Sequence, residues 1–229
     1  MKTMILAAGR GQRMRPLTDH TPKPLLTVGG QPLIVWHIKR LAKAGLRDIV
    51  INHAWLGKKI ESTLGDGSQW GVSIRYSPEP IALETAGGIA NALSLLGQAP
   101  FLVINGDTWC DWPVENASAD ALRPPLSATT SLAHLVLVPN PTHHPEGDFA
   151  IDEGGKLSEA GNARLTYSGL GIYHPDLFKA IGTQEPTPLG PILKQAMTKG
   201  LITGEVHRGQ WMDIGTPERL DQLDKQLSP

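Results

Sequence analysis

Apolar residues in this chain come as short unalternating runs and as helical stripes, and the two kinds take turns. Met4–Ala8 is an unbroken apolar run, the pattern of a strand covered on both faces. In Pro32–Ala44, residues Leu33, Trp36, His37, Arg40, Leu41 and Ala44 carry an i, i+3, i+4 rhythm that Gly45 ends, which predicts a helix. Asp48–His53 predicts a second strand, Leu56–Leu64 a short helix closed by Gly65-Asp66-Gly67, and Val72–Tyr76 a third strand. Thr85–Leu96 reads as a helix and Phe101–Asn105 as a fourth buried strand. Strand and helix alternating in this order predict an α/β fold with a largely parallel, doubly wound sheet and right-handed crossovers.

The second half breaks the alternation. Residues 113–130 are rich in Pro, Ala and Ser and predict a surface helix and loop. His134–Val138, Asp148–Asp152 and Thr166–Tyr173 are strand-like, with a hairpin signal at Glu153-Gly154-Gly155. Helices are expected at Pro175–Ile181, Leu189–Lys199 and Pro217–Gln226, and strands near Glu205–His207 and Trp211–Asp213. No internal repeat or linker divides the 229 residues, so the expectation is one domain spanning 1–229.

Composition narrows the function classes. A net charge of −1 leaves no basic footprint for nucleic acid or an anionic membrane, so any phosphate chemistry must come from local charges. The single cysteine, Cys110, cannot form an intrachain disulfide; it is read as a small buried residue and not as a nucleophile. The apolar run at the N-terminus is too short for a signal peptide or a membrane span, and a cytoplasmic location is expected.

The local charges lie in Leu6–Leu26. Gly9 and Gly11 follow the first strand, where glycine lets the backbone turn tightly and offer N–H groups to an anion. Met14 stands where a dinucleotide fingerprint needs its third glycine, and no G-K-[ST] marks a Walker A loop. The loop carries Arg10, Arg13, Arg15 and Lys23 instead, cations suited to the roughly four negative charges of a triphosphate. A solvated basic turn is the plain alternative. Pro16, Pro22 and Pro24 argue against it by stiffening the loop.

This stretch resembles the signature of the sugar-1-phosphate nucleotidyltransferases, L-A-A-G-x-G-x-R-x-x-P-L-T-x-x-x-P-K-P-L, at every fixed position. The likeness continues through Leu83–Gly88, Asn105-Gly106-Asp107, Tyr167–Tyr173 and Trp211–Pro217. The resemblance implies a Rossmann-like three-layer α/β/α sandwich with a mixed, mainly parallel sheet. It also implies Mg²⁺-dependent transfer of a nucleoside monophosphate to a sugar 1-phosphate. By the same resemblance Asp107 and Asp213 hold the metal and Arg13 and Lys23 carry the catalytic charge. Ala8, Gly9, Gly11, Gln12, Arg13, Lys23, Glu79, Thr85 and Gly88 bind the nucleotide, and Asn105, Asn140, Gly147, Gly169 and Glu205 contact the sugar phosphate. The nucleotide part would cover about 1–112 and the sugar part about 113–229.

Glu79 can accept hydrogen bonds from uracil or from guanine, so hydrogen-bonding inventory leaves the base open. Asn52–Leu56, His134–Asn140, Pro141, His143-His144 and Gly147-Asp148-Phe149 are similar to the bacterial branch that couples UTP to N-acetylmuramate 1-phosphate in peptidoglycan recycling. Mannose-1-phosphate guanylyltransferase and glucose-1-phosphate thymidylyl- or uridylyltransferase are the alternatives, with a catalytically dead regulatory module as the non-enzyme alternative. No protein partner is indicated. The chemistry needs no general base, because the attacking phosphate is already anionic; His20, His53 and His207 are therefore read as structural or surface residues. Trp55, Trp70, Trp109, Trp112 and Trp211 are read as packing.

Overall fold

The computed structural model describes residues 1–117, 130–161, 163–182 and 184–228. In chain order the elements are β1 (Thr3–Leu6), β2 (Thr27–Val28), β3 (Gln31–Pro32), α1 (Leu33–Lys43), β4 (Asp48–His53), α2 (Gly57–Leu64), β5 (Ser73–Pro78), α3 (Glu84–Leu96), β6 (Phe101–Asn105) and β7 (Thr108–Cys110). Then come β8 (Ala133–Val138), β9 (Phe149–Ile151), β10 (Leu157–Ser158), β11 (Arg164–Tyr173), α4 (Leu189–Met197), β12 (Ile202–Val206), β13 (Trp211–Asp213) and α5 (Pro217–Leu227).

Nine strands form one mixed sheet in the order β10-β9-β11-β6-β1-β4-β5, with β8 paired to β11 and β12 paired to β8. The first-half strands are parallel: β1 lies between β4 and β6, and β5 flanks β4. Antiparallel β11 joins β6 to the second half, where β8 and β9 run antiparallel to it and β12 is parallel to β8.

Unalternating apolar strands make sense here because both faces are covered. Ile5, Ile49 and Ile51 pack with Ile34 and Ile38 of α1 and Ile60 of α2. Their neighbours Met4 and Val50 point the other way, onto Ile89 of α3 and Leu193 of α4. Two cores on opposite faces of one sheet make a three-layer α/β/α sandwich. A third cluster ties Met14 of the basic loop to Trp109, Ile214 and Leu223 of α5.

Several local expectations are corrected. Pro175–Ile181 is a 3₁₀ turn at Pro175–Leu177 followed by further turns, with i→i+3 bonds closing Leu177, Phe178 and Ile181. Phe178 is fully buried against Phe101 and Tyr173, and burying that ring in a tight turn outweighs helix propensity. The strand expected near Glu205–His207 starts at Ile202, whose register on β8 begins at Ala133. β1 ends at Leu6, leaving Ala7 and Ala8 to open the loop. The β2–β3 hairpin and β7, which pairs with β13, went unpredicted. The surface segment expected at 113–130 falls mostly outside the described residues; its described start is a 3₁₀ turn at Val114–Asn116. The Glu153-Gly154-Gly155 turn does join two antiparallel strands, β9 and β10.

Candidate active site

The basic loop is folded by its own backbone into three 3₁₀ turns, Gln12–Met14, Leu17–Asp19 and Lys23–Leu25. Gly11 is held at φ 67°, and a Cβ there would sit 2.9 Å from Thr18 Cγ2 and 3.3 Å from Lys23 Cβ, so only glycine fits. The Gly11 carbonyl accepts from the Thr18 hydroxyl (2.8 Å) and the Met14 N–H (2.9 Å), and buried Met14 anchors the turn to the third core. The stiffness expected from the prolines is therefore reinforced by hydrogen bonds.

The loop borders a cleft of about 350 Å³ at the carboxyl ends of β1, β4 and β6, lined by Ala8, Gly9, Lys23, Asn52, Thr85, Asn105 and Asp107 among others. Doubly wound sheets bind ligands at this end. The Lys23 side chain is 8% exposed, and its ammonium donates to Asp107 Oδ2 at 2.5 Å. Arg13 lines the adjoining recess with Gly9, Gly11, Gln12 and Gly215. Of the remaining two cations, Arg10 also lines the first cleft and Arg15 does not. The Arg10 guanidinium stacks 3.2 Å over the Trp55 ring, and Arg15 is exposed and paired with Asp19 at 2.6 Å.

Asp107 and Asp213 could not be paired from spacing; the β7–β13 ribbon pairs them. Asp213 registers with Thr108, and the Ile214 N–H donates to the Asp107 carbonyl at 2.9 Å. Asp213 Oδ2 accepts from Arg219 Nη1 at 2.6 Å, and His143 Nε2 lies 3.4 Å away. Both carboxylates face a second recess of about 380 Å³, shared with Arg13, Asn105, His143, Asp148, Gly169 and Trp211. Two carboxylates on one open recess are the hard oxygen donors that a divalent cation prefers. Asp107 and Asp213 could hold such an ion.

On the base side the outcome departs from expectation. Glu79 does not line the cleft. It is 5% exposed, and its two oxygens accept from Asn52 Nδ2 (2.6 Å) and from the Leu83 N–H (2.8 Å). Burial raises its pKa above the usual carboxylate range, against the pull of those two donors. Gly88 packs on this arrangement and does not line the cleft: a Cβ would stand 2.8 Å from both Asn52 Nδ2 and Glu79 Oε1. Thr85 does line the cleft.

Of the expected sugar-phosphate contacts, Asn105 and Gly169 meet at the bulge where β11 slips register between Tyr167 and Gly171. Gly169 has φ 84°, and a Cβ would stand 2.7 Å from Asn105 Nδ2. Asn140, Gly147 and Glu205 do not join them. The Asn140 amide donates to the Pro145 and Arg164 carbonyls and accepts from Thr166, and Gly147 packs on that amide. Glu205 accepts from the Trp112 indole at 2.6 Å. Trp109 and Trp112 are packing residues, as expected, whereas Trp211 donates to the Ser168 carbonyl and borders the second recess. Burial pushes the Cys110 thiol up to about 11, which agrees with an inert residue. His207 pairs with Asp111, and buried His53 with Glu61.

The sequence reading did not single out Asn52, Asp148 or Arg219 as site residues. Asn52 had a readable signal, a polar residue at the carboxyl end of an apolar parallel strand. Asp148, which accepts from the Tyr167 N–H and His144, and Arg219 needed the tertiary pairing.

Known proteins share this plan. The chain is 53% identical over 227 residues to the N-acetylmuramate alpha-1-phosphate uridylyltransferase of Neisseria meningitidis serogroup B, covering 97% of this chain and 96% of that one. The protein of the same description from Caulobacter vibrioides is 34% identical, with 94% and 92% covered. The solved structure of HddC from Yersinia pseudotuberculosis superposes with a TM-score of 0.81 at 22% identity, over 99% of both chains, and so shares the fold. The model of the family described as nucleotidyl transferase matches residues 2–228, and the chain belongs to that family.

Proposed function

We propose that this protein transfers UMP from UTP to N-acetylmuramate 1-phosphate, releasing pyrophosphate and forming UDP-N-acetylmuramate for peptidoglycan recycling. The observation that carries the reaction type is the convergence of Lys23, Asp107, Arg13 and Asp213 around the Gly11 loop at one end of the sheet. The choice of uridine and of N-acetylmuramate rests on the full-length likeness to the two uridylyltransferases.

In this reading the sugar-phosphate oxygen attacks the α-phosphorus in line, the P–O bond to the β-phosphate breaks, and pyrophosphate leaves. No proton has to be removed from the nucleophile, so the protein acts by positioning and by charge. The Gly11 turn, with Gly9 and Gln12, shapes a seat for the triphosphate, and Arg13 faces the β- and γ-phosphates. Lys23 sits at the α-phosphate, its direction set by Asp107. When bound, Mg²⁺ on Asp107 and Asp213 supplies charge neutralisation at the two reacting phosphates. Asn105 and Gly169 form the floor on the acceptor side. The nucleotide part of the chain is about 1–112 and the acceptor part about 113–229. No helix among the described residues is long and apolar enough to cross a membrane, and a UTP-dependent reaction suits the cytoplasm.

Pyrophosphate release with UTP, GTP, dTTP and ATP against N-acetylmuramate, mannose and glucose 1-phosphates tests the reading. UTP with N-acetylmuramate 1-phosphate is expected to exceed every other pair by at least about tenfold in kcat/KM. A guanylyl or thymidylyl preference, or a preference for a neutral hexose, would sink it.

A further inference from the structure

We propose that Glu79 is a positioning residue for nucleotide binding: without touching the nucleotide, its carboxylate ties together the two walls of the cleft. One wall opens at Ala7, whose N–H donates to Asn52 Oδ1 at 2.9 Å. The other is the turn into α3, where the Leu83 N–H donates to Glu79 Oε2 at 2.8 Å. Asn52 bridges the two, donating from Nδ2 to Glu79 Oε1 at 2.6 Å.

The polarity of this chain of bonds is forced. A backbone N–H can only donate, so the Ala7 contact requires the Asn52 oxygen and leaves the Asn52 nitrogen facing Glu79. Glu79 then meets a donor on each side, and only a carboxylate offers two acceptors there. All of these groups are buried, where a donor facing a donor is costly. The wall that Glu79 holds is strained, because Glu84 sits at φ 59° between Leu83 and Thr85, and Glu84 and Thr85 both line the cleft. The Leu83 carbonyl is held from the other side by the Thr187 N–H at 2.9 Å. Gly88 leaves the space the network needs.

The proposal uses the reading that this cleft takes a nucleotide, and a polarity swap tests it. In Glu79→Gln, one amide end must present a donor to Leu83 or to Asn52. In Asn52→Asp, two carboxylates face each other. The double variant restores the match: Asp at 52 accepts from Ala7 and from the Gln at 79, whose oxygen accepts from Leu83. Each single variant is expected to weaken UTP binding, measured by calorimetry, at least about tenfold and to lower Tm by several degrees. The KM for the sugar phosphate should stay within about twofold in Glu79→Gln. The double variant is expected to recover most of both losses, a strong favourable coupling.

Additive losses in the double variant overturn the proposal. So does a Glu79→Gln protein of unchanged Tm whose preference shifts from UTP to another nucleotide, since that is the signature of direct base reading. Should the wild-type protein prefer another nucleotide, the uridylyltransferase reading fails, while the same cycle run with that nucleotide and with Tm still decides the role of Glu79.

Discussion

The two halves of the sheet use their polar residues differently. In the parallel half, β1, β4 and β6 all end at the same edge, so the residues at or just after each strand end converge: the Gly9–Lys23 loop, Asn52 and Asp107 share one cleft. In the half built on antiparallel β8, β9 and β11, successive strand ends point opposite ways, and polar residues divide between the recess and the scaffold. Asp148 and Gly169 reach the recess, whereas Asn140 and Glu205 are held by bonds inside the protein. Motifs after β1, β4 and β6 therefore locate chemistry directly, whereas Glu79, which follows parallel β5, is bonded inside the protein. Motifs in the antiparallel half mix chemistry with fasteners.

The sharpest way to break this comparison is at Asp107. Asp107→Asn is expected to keep the fold and to lower turnover about hundredfold or more, as losing a charge at the reacting phosphates would. Circular dichroism with pyrophosphate-release kinetics checks it, and near-wild-type turnover would remove Asp107 from the reacting centre.

Acid should weaken the protein through His37 of α1. Burial, helped by the charge of Arg40, lowers its pKa from the ordinary 6.5 to about 4. Between those values the unfolded chain takes up a proton that the folded one refuses, so stability falls as pH drops from 6.5 toward 4. The loss is at most about 3 kcal/mol once both values are passed. Denaturant melts of wild type and His37→Leu at pH 7 and pH 4.5 should show a smaller pH-dependent loss in the variant.

Asn140→Ala tests the fastener side. It leaves buried Thr166 without its acceptor and the Pro145 and Arg164 carbonyls without their shared donor, which should cost about 1–3 kcal/mol in stability while kcat changes less than about threefold. A large fall in kcat with unchanged stability would make Asn140 a substrate contact after all. Glu205→Gln should do least, since an amide oxygen can still accept from the Trp112 indole: about 0.5 kcal/mol or less, and sugar-phosphate KM unmoved.

Much of the first half was legible in advance. Apolar runs marked β1, β4 and β6, stripes marked α1 and α3, and the glycines and prolines of Leu6–Leu26 marked a stiff basic loop. Boundaries and short pieces were not, because β7 and the β2–β3 hairpin are too brief to show a period. The 3₁₀ turn at Pro175 was missed because the burial of Phe178 is a property of its surroundings. At the site, Lys23, Asn105, Asp107, Gly169 and Asp213 stand in the two recesses, and Arg13, Gly9, Gly11 and Gln12 in the adjoining one. Glu79 and Gly88 lie one layer beneath.

Local chemistry along the chain determined the alternation of strand and helix, the stiff glycine-bearing loop and the cations it carries, because periodicity and backbone freedom are short-range properties. Tertiary structure decided that Asp107 meets Lys23 and Asp213, that Glu79 accepts from Asn52 and Leu83 within the protein, and that Asn140 is a clasp. A side chain's partner depends on strand register and on which donors burial leaves beside it, and neither is written in the spacing of one strand.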